Sequence, residues 1–178
     1  MTKKIAILRG INVGGKRKIL MADLRSVCEG LGWTDVKTYI QSGNVFFKSD
    51  RSNAELEIEL EKAIKAHFGF DVPVIIRTSQ EMEGIVEHNP FVKDAEIAQL
   101  HLVFLKEVPT ATQIEEALVH NFEPDQFHVA GQEVYLYCAG AYHKTKMSNN
   151  FFEKKLKVGA TTRNWKTVLK LLALSKMC

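Results

Sequence analysis

The same succession of periodicities occurs twice along this chain. In each half an apolar run of strand length is followed by a stretch with helical spacing, two strand-like runs about a turn, and a second helical stretch, with no residue-level identity between the halves. Apolar residues at every second position mark strands and those at three- and four-residue spacing mark helices, so this order restricts the fold before any side chain is considered. In the first half, residues 4–9 read as a strand. Met21, Leu24, Val27, Cys28 and Leu31 then follow helical spacing, with Gly32 at a C-cap position. Residues 36–40 and 45–48 are β-type runs about the turn Gln41-Ser42-Gly43-Asn44, a hairpin. Ser52-x-x-Glu55 is a capping box that opens a helix with Leu56, Leu60, Ala63 and Ile64 on one face, and Phe68-Gly69 closes it. Glu55, Glu57, Glu59 and Glu61 alternate along that helix and read mostly as its solvated face. Residues 72–77 form a fourth strand.

Thr78-x-x-Glu81 starts a short helix that Asn89-Pro90 must end, because the residue before a proline is pushed out of helical conformation. The pattern then restarts. A strand over 101–106 precedes a helix opened by Thr112-x-x-Glu115, with Ile114, Ala117 and Leu118 on it. Strands over 126–130 and 133–138 flank the hairpin turn Gly131-Gln132. The last helix is expected to begin near Thr162 and to bury Trp165, Val168, Leu169 and Leu172. The first half reads βαββαβ, and the second reads βαββα with its final strand missing or unrecognisable. The first order is that of the ferredoxin-like split βαβ motif. The chain is therefore expected to be an α+β protein of two ferredoxin-like halves packed together, with a C-terminal helix. The expected division is a first half over 1–78, a helical connection over 79–98 and a second half over 99–178.

The bulk properties exclude several classes. At 178 residues, 46% hydrophobic and 25% charged, the chain is that of an ordinary globular protein. No apolar stretch approaches the roughly 18–20 residues needed to span a bilayer. The short run Ile5 to Leu8 is below the ~7–15 residues of a signal-peptide core. Cys28, Cys138 and Cys178 are odd in number and widely spaced, with no CxxC or Cys/His cluster, so buried thiols in a reducing cytoplasm are expected and no metal or other cofactor is implied. The six histidines are scattered, and no hydrolase or zinc signature occurs. Charge is uneven. Residues 91–137 carry two basic and eight acidic side chains, net −6, whereas residues 138–178 carry nine and one, net +8. The stretch from Lys3 to Lys18 holds six cations and no acid. Basic segments of this kind attract phosphate or an acidic partner, or else form a solvated surface beside the acidic middle.

Three segments could carry chemistry. Gly10-Ile11-Asn12-Val13-Gly14-Gly15-Lys16-Arg17 follows a strand and satisfies G-x-x-x-x-G-K, but Arg17 stands where a P-loop needs a Mg²⁺-binding Ser or Thr. What remains is a glycine loop beside Lys16, Arg17 and Lys18, either an anion nest or a plain connection. In a βαββαβ unit the first two strands are parallel and end on the same edge. That edge brings the 12–18 loop beside the Gln41–Asn44 turn and makes a polar rim of Arg9, Asn12, Ser42 and Asn44, unless these are only turn formers. In the C-terminal segment Lys144, Lys146, Lys154, Lys155, Lys157, Arg163 and Lys166 surround Tyr142, Phe151, Phe152 and Trp165. Cations among rings suit nucleic acid, although the spacing of Trp165 favours a core position. Arg163 in the first turn of a helix would oppose the macrodipole, which implies a partner or ligand elsewhere.

Together the segments ILRGINVGGKRKILMADLRSVCEGLGW, TYIQSGNVFF and ATTRNWKTVLKL, with VIIRT and HNPF between them, resemble the bacterial domain of unknown function 1697 family over essentially the whole chain. The resemblance implies an α+β fold of two ferredoxin-like halves and brings no established activity. The positions matching its motifs are Arg9, Gly10, Asn12, Gly14, Gly15, Ser42, Gly43, Asn44, Arg77, Asn89, Pro90, Lys146, Arg163, Asn164 and Trp165. The stretch Gly140-Ala141-Tyr142-His143-Lys144-Thr145-Lys146 departs from the Gly- and Ser-bearing pattern that members often carry before the motif lysine. The expected role is binding of a phosphorylated small molecule or nucleic acid, with Arg9, Asn12, Gly14, Gly15, Lys16, Ser42, Asn44, Lys146, Arg163 and Asn164 as candidate ligand-binding residues. The alternatives are a cofactor-free enzyme acting on a small anionic substrate, with Lys146 or Arg163 stabilising charge, and a self-associating structural module.

Overall fold

Residues 1–177 are described by a computed structural model. The chain divides into two compact units, residues 1–84 with the C-terminal residues from Leu171, and residues 85–170. The first unit contains β1 (Thr2–Leu8), α1 (Met21–Gly30), β2 (Thr34–Tyr39), β3 (Asn44–Ser49), α2 (Asn53–Phe68) and β4 (Val74–Thr78), and α3 (Ser79–Glu87) follows. The strands form one sheet in the order β2-β3-β1-β4, antiparallel at every pairing. Because β1 and β2 both run antiparallel to β3, they point the same way, as the sequence order required.

One face of this sheet presents Ala6, Leu8, Val45, Phe47, Val74 and Ile76 to Leu24 and Cys28 of α1 and Leu56, Leu60 and Ile64 of α2. The other face is also buried through Ile5, Ile7, Phe46 and Ile75. Burial on both faces explains why β1 and β4 read as unbroken apolar runs rather than alternating ones. Trp33 stacks on Phe47 at 3.8 Å between ring centroids, and its Nε1 donates to Glu59 at 3.1 Å. The capping box at Ser52 is formed: its hydroxyl accepts from the Glu55 N–H and Glu55 accepts from the Ser52 N–H. Gly69 ends α2 at φ +83°. Thr78 and Glu81 cap α3 in the same reciprocal way.

The carboxylates of α2 differ from expectation. Glu57 is 6% exposed, and its Oε1 accepts from the Ile76 N–H at 2.8 Å, while Glu61 accepts from the Val74 N–H at 2.9 Å. β4 is an edge strand, so those N–H groups have no neighbouring strand to bond. Buried backbone donors must find partners, and two glutamates one helical turn apart supply them. Side chains thus close an edge that could otherwise pair with a foreign strand.

The second unit contains β5 (Leu100–Leu105), α4 (Ala111–Leu118), β6 (Gln126–Ala130), β7 (Glu133–Tyr137), α5 (Asn149–Leu156) and β8 (Ala160–Asn164), and α6 (Trp165–Met177) follows. Its sheet has the order β6-β7-β5-β8, again antiparallel throughout. Val103, Leu105, Val134, Leu136 and Ala160 face Ala117 of α4 and Phe152 and Leu156 of α5.

Three expectations are corrected in this unit. Its final strand exists: β8 is ATTRN, paired with β5 at the edge of the sheet. It is too short and polar to show strand periodicity, and Thr161-Thr162 mimic a helix start. The last helix accordingly begins at Trp165, with Asn164 Oδ1 accepting from the Thr167 N–H at 2.8 Å. The cap of α4 is Thr110, bonded reciprocally with Gln113, two residues before the Thr112 expected. Trp165 is 2% exposed, as its spacing indicated.

Candidate functional site

The loop between β1 and α1 is built from an unusual backbone. Gly10, Asn12, Gly14, Gly15 and Arg17 all have φ between +48° and +72°. Successive left-handed residues at Gly14 and Gly15 make a primed tight turn, closed by the Lys16 N–H donating to the Val13 carbonyl at 3.0 Å. The Asn12 N–H donates to the Arg17 carbonyl at 3.1 Å, so residues 12–17 form a miniature hairpin. This is not a phosphate cradle of P-loop form: the Lys16 N–H is engaged within the turn, and α1 begins only at Met21. Ile11 and Ile19, at either end, are both buried in the core.

Asn12 organises this loop. Its Nδ2 donates to the Ile19 carbonyl at 3.0 Å and to the Gln41 carbonyl at 2.8 Å, and its Oδ1 accepts from the Ile19 N–H at 2.9 Å. Asparagine tolerates the left-handed conformation it holds there. The bond to Gln41 ties the loop to the β2–β3 turn, so the two segments adjoin as expected. Gly43 sits at their contact with φ +86°, and a Cβ there would lie 2.6 Å from Ile11 Cδ1 and 2.9 Å from Leu8 Cβ. Its carbonyl accepts from the Leu8 N–H at 2.9 Å. Asn44 is fully buried, with Nδ2 donating to the Tyr39 carbonyl at 3.0 Å and to Ser42 Oγ at 3.2 Å. The polar atoms of Asn12 and Asn44 are thus largely spent on holding the two segments together.

The convergence leaves a cleft of about 400 Å³. Asn12, Gly15, Lys18, Ile19 and Leu20 of the loop line it, with Asp23 from the first turn of α1, Gln41 from the turn and Phe68 from the end of α2. Leu20 is the N-cap residue of α1 and provides no side-chain cap. Lys16, Arg17 and Lys18 are exposed and Arg9 is half-buried. Lys18, Asp23, Gln41 and Phe68 are not among the candidate ligand-binding residues expected from the sequence. Lys18 and Gln41 lay in the segments singled out, but nothing in the linear order brings Asp23 and Phe68, on two different helices, to those segments.

The other candidates lie in the second unit. Lys146 is exposed in the segment leading into α5. Arg163, on β8, is 8% exposed, and its Nη1 donates to Thr161 Oγ1 at 3.3 Å and to the Thr162 carbonyl at 3.1 Å. Burial lowers its pKa to about 10, which leaves it charged at neutral pH. It belongs to a strand, so the expected conflict with a helix dipole does not arise. Thr161 and Arg163 alternate with Ala160, which packs in the core beneath α4 and α5, so the Arg163 side chain faces away from that core. Asn164 is exposed and its side-chain oxygen caps α6. The rings expected among the cations are core elements: Phe152 is fully buried, and Phe151 and Tyr142 pack against the same cluster.

Tyr142 stacks on His101 at 4.4 Å, and burial holds the His101 imidazole below its ordinary value. Cys28 and Cys138 are buried, and desolvation pushes their thiols up to about 12 and about 11. Cys178 lies outside the described residues. Among the described residues no group of three or more His, Cys, Asp or Glu side chains could hold a metal ion, and no helix is long and apolar enough to cross a membrane.

Residues 1–135 match the family described as Protein of unknown function (DUF1697). The chain belongs to the DUF1697 family. The match covers the loop and turn of the first unit, while Lys146, Arg163 and Asn164 fall beyond it. Among solved structures, the conserved bacterial protein SP0830 from Streptococcus pneumoniae is similar, with a TM-score of 0.80 and 27% identity over 98% of each chain. No curated protein matches the sequence.

Proposed function

We propose that this DUF1697 protein binds a phosphorylated small molecule in the cleft of its first unit. The observation that supports this most directly is the cleft itself, which Lys18 lines from a loop whose shape is held by Asn12 without any ligand. Its volume of about 400 Å³ falls within the ~300–1,000 Å³ of small-molecule sites. Left-handed backbone at Arg17 costs free energy, and such strain concentrates at functional sites. Small-molecule binding is favoured over the nucleic-acid version. A sequence-tolerant polymer site needs exposed rings for stacking, and the C-terminal rings are taken up by the core.

We also read each unit as ferredoxin-like, with βαββαβ order, the outer strands β2 and β4 or β6 and β8, and both helices on one face. A cytoplasmic, bacterial setting is part of this reading and rests on the reduced-type cysteine usage and the resemblance given above.

Calorimetric titration with ribose 5-phosphate tests the binding. Saturable binding that weakens with added salt and is lost in Lys18→Ala is expected, with no binding of ribose. Failure of every phosphorylated compound to bind at millimolar concentration would refute the reading.

A further inference from the structure

We infer that the ligand of this cleft is a nucleoside monophosphate, or a molecule of the same build with a phosphate, a hydroxylated middle and a flat ring. The inference rests on the phosphate-binding reading above and concerns the rest of that ligand. A pocket for phosphate alone needs cations and N–H donors, yet this one is lined by the acidic Asp23 as well as by Lys18. A carboxylate repels a bare phosphate and accepts from hydroxyls, so the pair suits a ligand that brings both charge and donors.

The third wall is aromatic. Phe68 is half-buried against the core but also lines the cleft, with its ring centroid 6.2 Å from that of Phe70 and 4.6 Å from that of His67. A ring at the side of the cleft offers a stacking surface for a base. Gln41 is exposed in the turn while Asn12 holds its backbone carbonyl, so its side-chain amide can donate to and accept from a base edge. The phosphate at Lys18, the sugar hydroxyls at Asp23 and the base against Phe68 then give the charged, acidic and aromatic groups of the lining one ligand.

The test is calorimetry with the four ribonucleoside 5′-monophosphates, the four nucleosides, ribose 5-phosphate, inorganic phosphate and a 5′-phosphorylated oligoribonucleotide. At least one monophosphate is expected to bind tenfold or more tightly than ribose 5-phosphate and than its own nucleoside. Lys18→Ala removes that binding. Phe68→Leu, which keeps apolar bulk for the core, reduces the nucleotide to the level of ribose 5-phosphate. Asp23→Asn narrows the gap between nucleotide and inorganic phosphate. Oligonucleotide binding that requires the terminal phosphate and Phe68 supports the same chemistry supplied by a chain end. Oligonucleotide binding indifferent to both overturns the assignment. If ribose 5-phosphate binds as tightly as every nucleotide, the nucleotide inference falls while the phosphate site stands. If nothing phosphorylated binds, both fall.

Discussion

Replacing Asn12 separates the architecture of the loop from its chemistry. The side chain makes three hydrogen bonds, two to carbonyls and one from an N–H, and closes both the 12–19 loop and its tie to the turn. At about 0.5–1.5 kcal/mol for each, their loss sums to roughly 1.5–4.5 kcal/mol. Alanine at φ +56° adds about 1–2 kcal/mol of backbone strain, which glycine does not incur. Asn12→Ala is therefore expected to destabilise the first unit by about 2.5–6.5 kcal/mol, and Asn12→Gly by about 1–2 kcal/mol less. Urea unfolding followed by Trp33 fluorescence in a Trp165→Phe background reports on this unit, because Trp33 packs in its core. A change below about 1 kcal/mol in Asn12→Ala would show that the three bonds are exchanged for water at no cost, and the view of Asn12 as the organiser of the cleft would be wrong.

Three further outcomes follow from particular contacts. Glu57→Ala leaves the buried Ile76 N–H without its acceptor and should cost about 1–3 kcal/mol; Glu57→Gln, which retains a carbonyl oxygen, should cost clearly less, and equal losses in urea melts would contradict the edge-closing role. His101 is buried with Nδ1 unpaired, and burial lowers its pKa from 6.5. The unfolded chain therefore takes up a proton before the folded one, so its contribution to stability is full above pH 6.5 and declines as pH falls below it. Comparing unfolding midpoints at pH 8 and pH 5 should show a smaller acid loss in His101→Gln than in the parent, and an unchanged loss would remove His101 from the account. In Cys178→Ser protein, thiol reagents at pH 8 should leave Cys28 and Cys138 unmodified until the chain unfolds, because both thiols are buried and held protonated; rapid labelling of native protein would contradict their burial.

Local chemistry made much of the chain legible. The capping boxes at Ser52 and Thr78 depend on residues three apart, and the hairpins at 41–44 and 131–132 on a few turn formers, so both can be read from the sequence. The parallel direction of β1 and β2 follows from element order and was enough to predict that the 12–18 loop meets the 41–44 turn. The cap of α4 moves by two residues within one local motif, whereas the larger departures are non-local. β8 and the Glu57 side chain acquire their roles from partners distant in sequence: an alanine and four polar residues become a strand because β5 offers an unpaired edge, and a glutamate becomes buried because β4 has one.

The candidate site divides along the same line. The sequence by itself determined that a glycine-rich, cationic loop follows the first strand and that a polar turn lies on the same sheet edge. Only the tertiary structure decided that Asn12 and Asn44 mainly build that edge, and that Asp23 and Phe68 complete a cleft with Lys18. Spacing along a chain reports faces of single elements, whereas a cavity is the volume left where several elements fail to meet, and that depends on how their side chains pack.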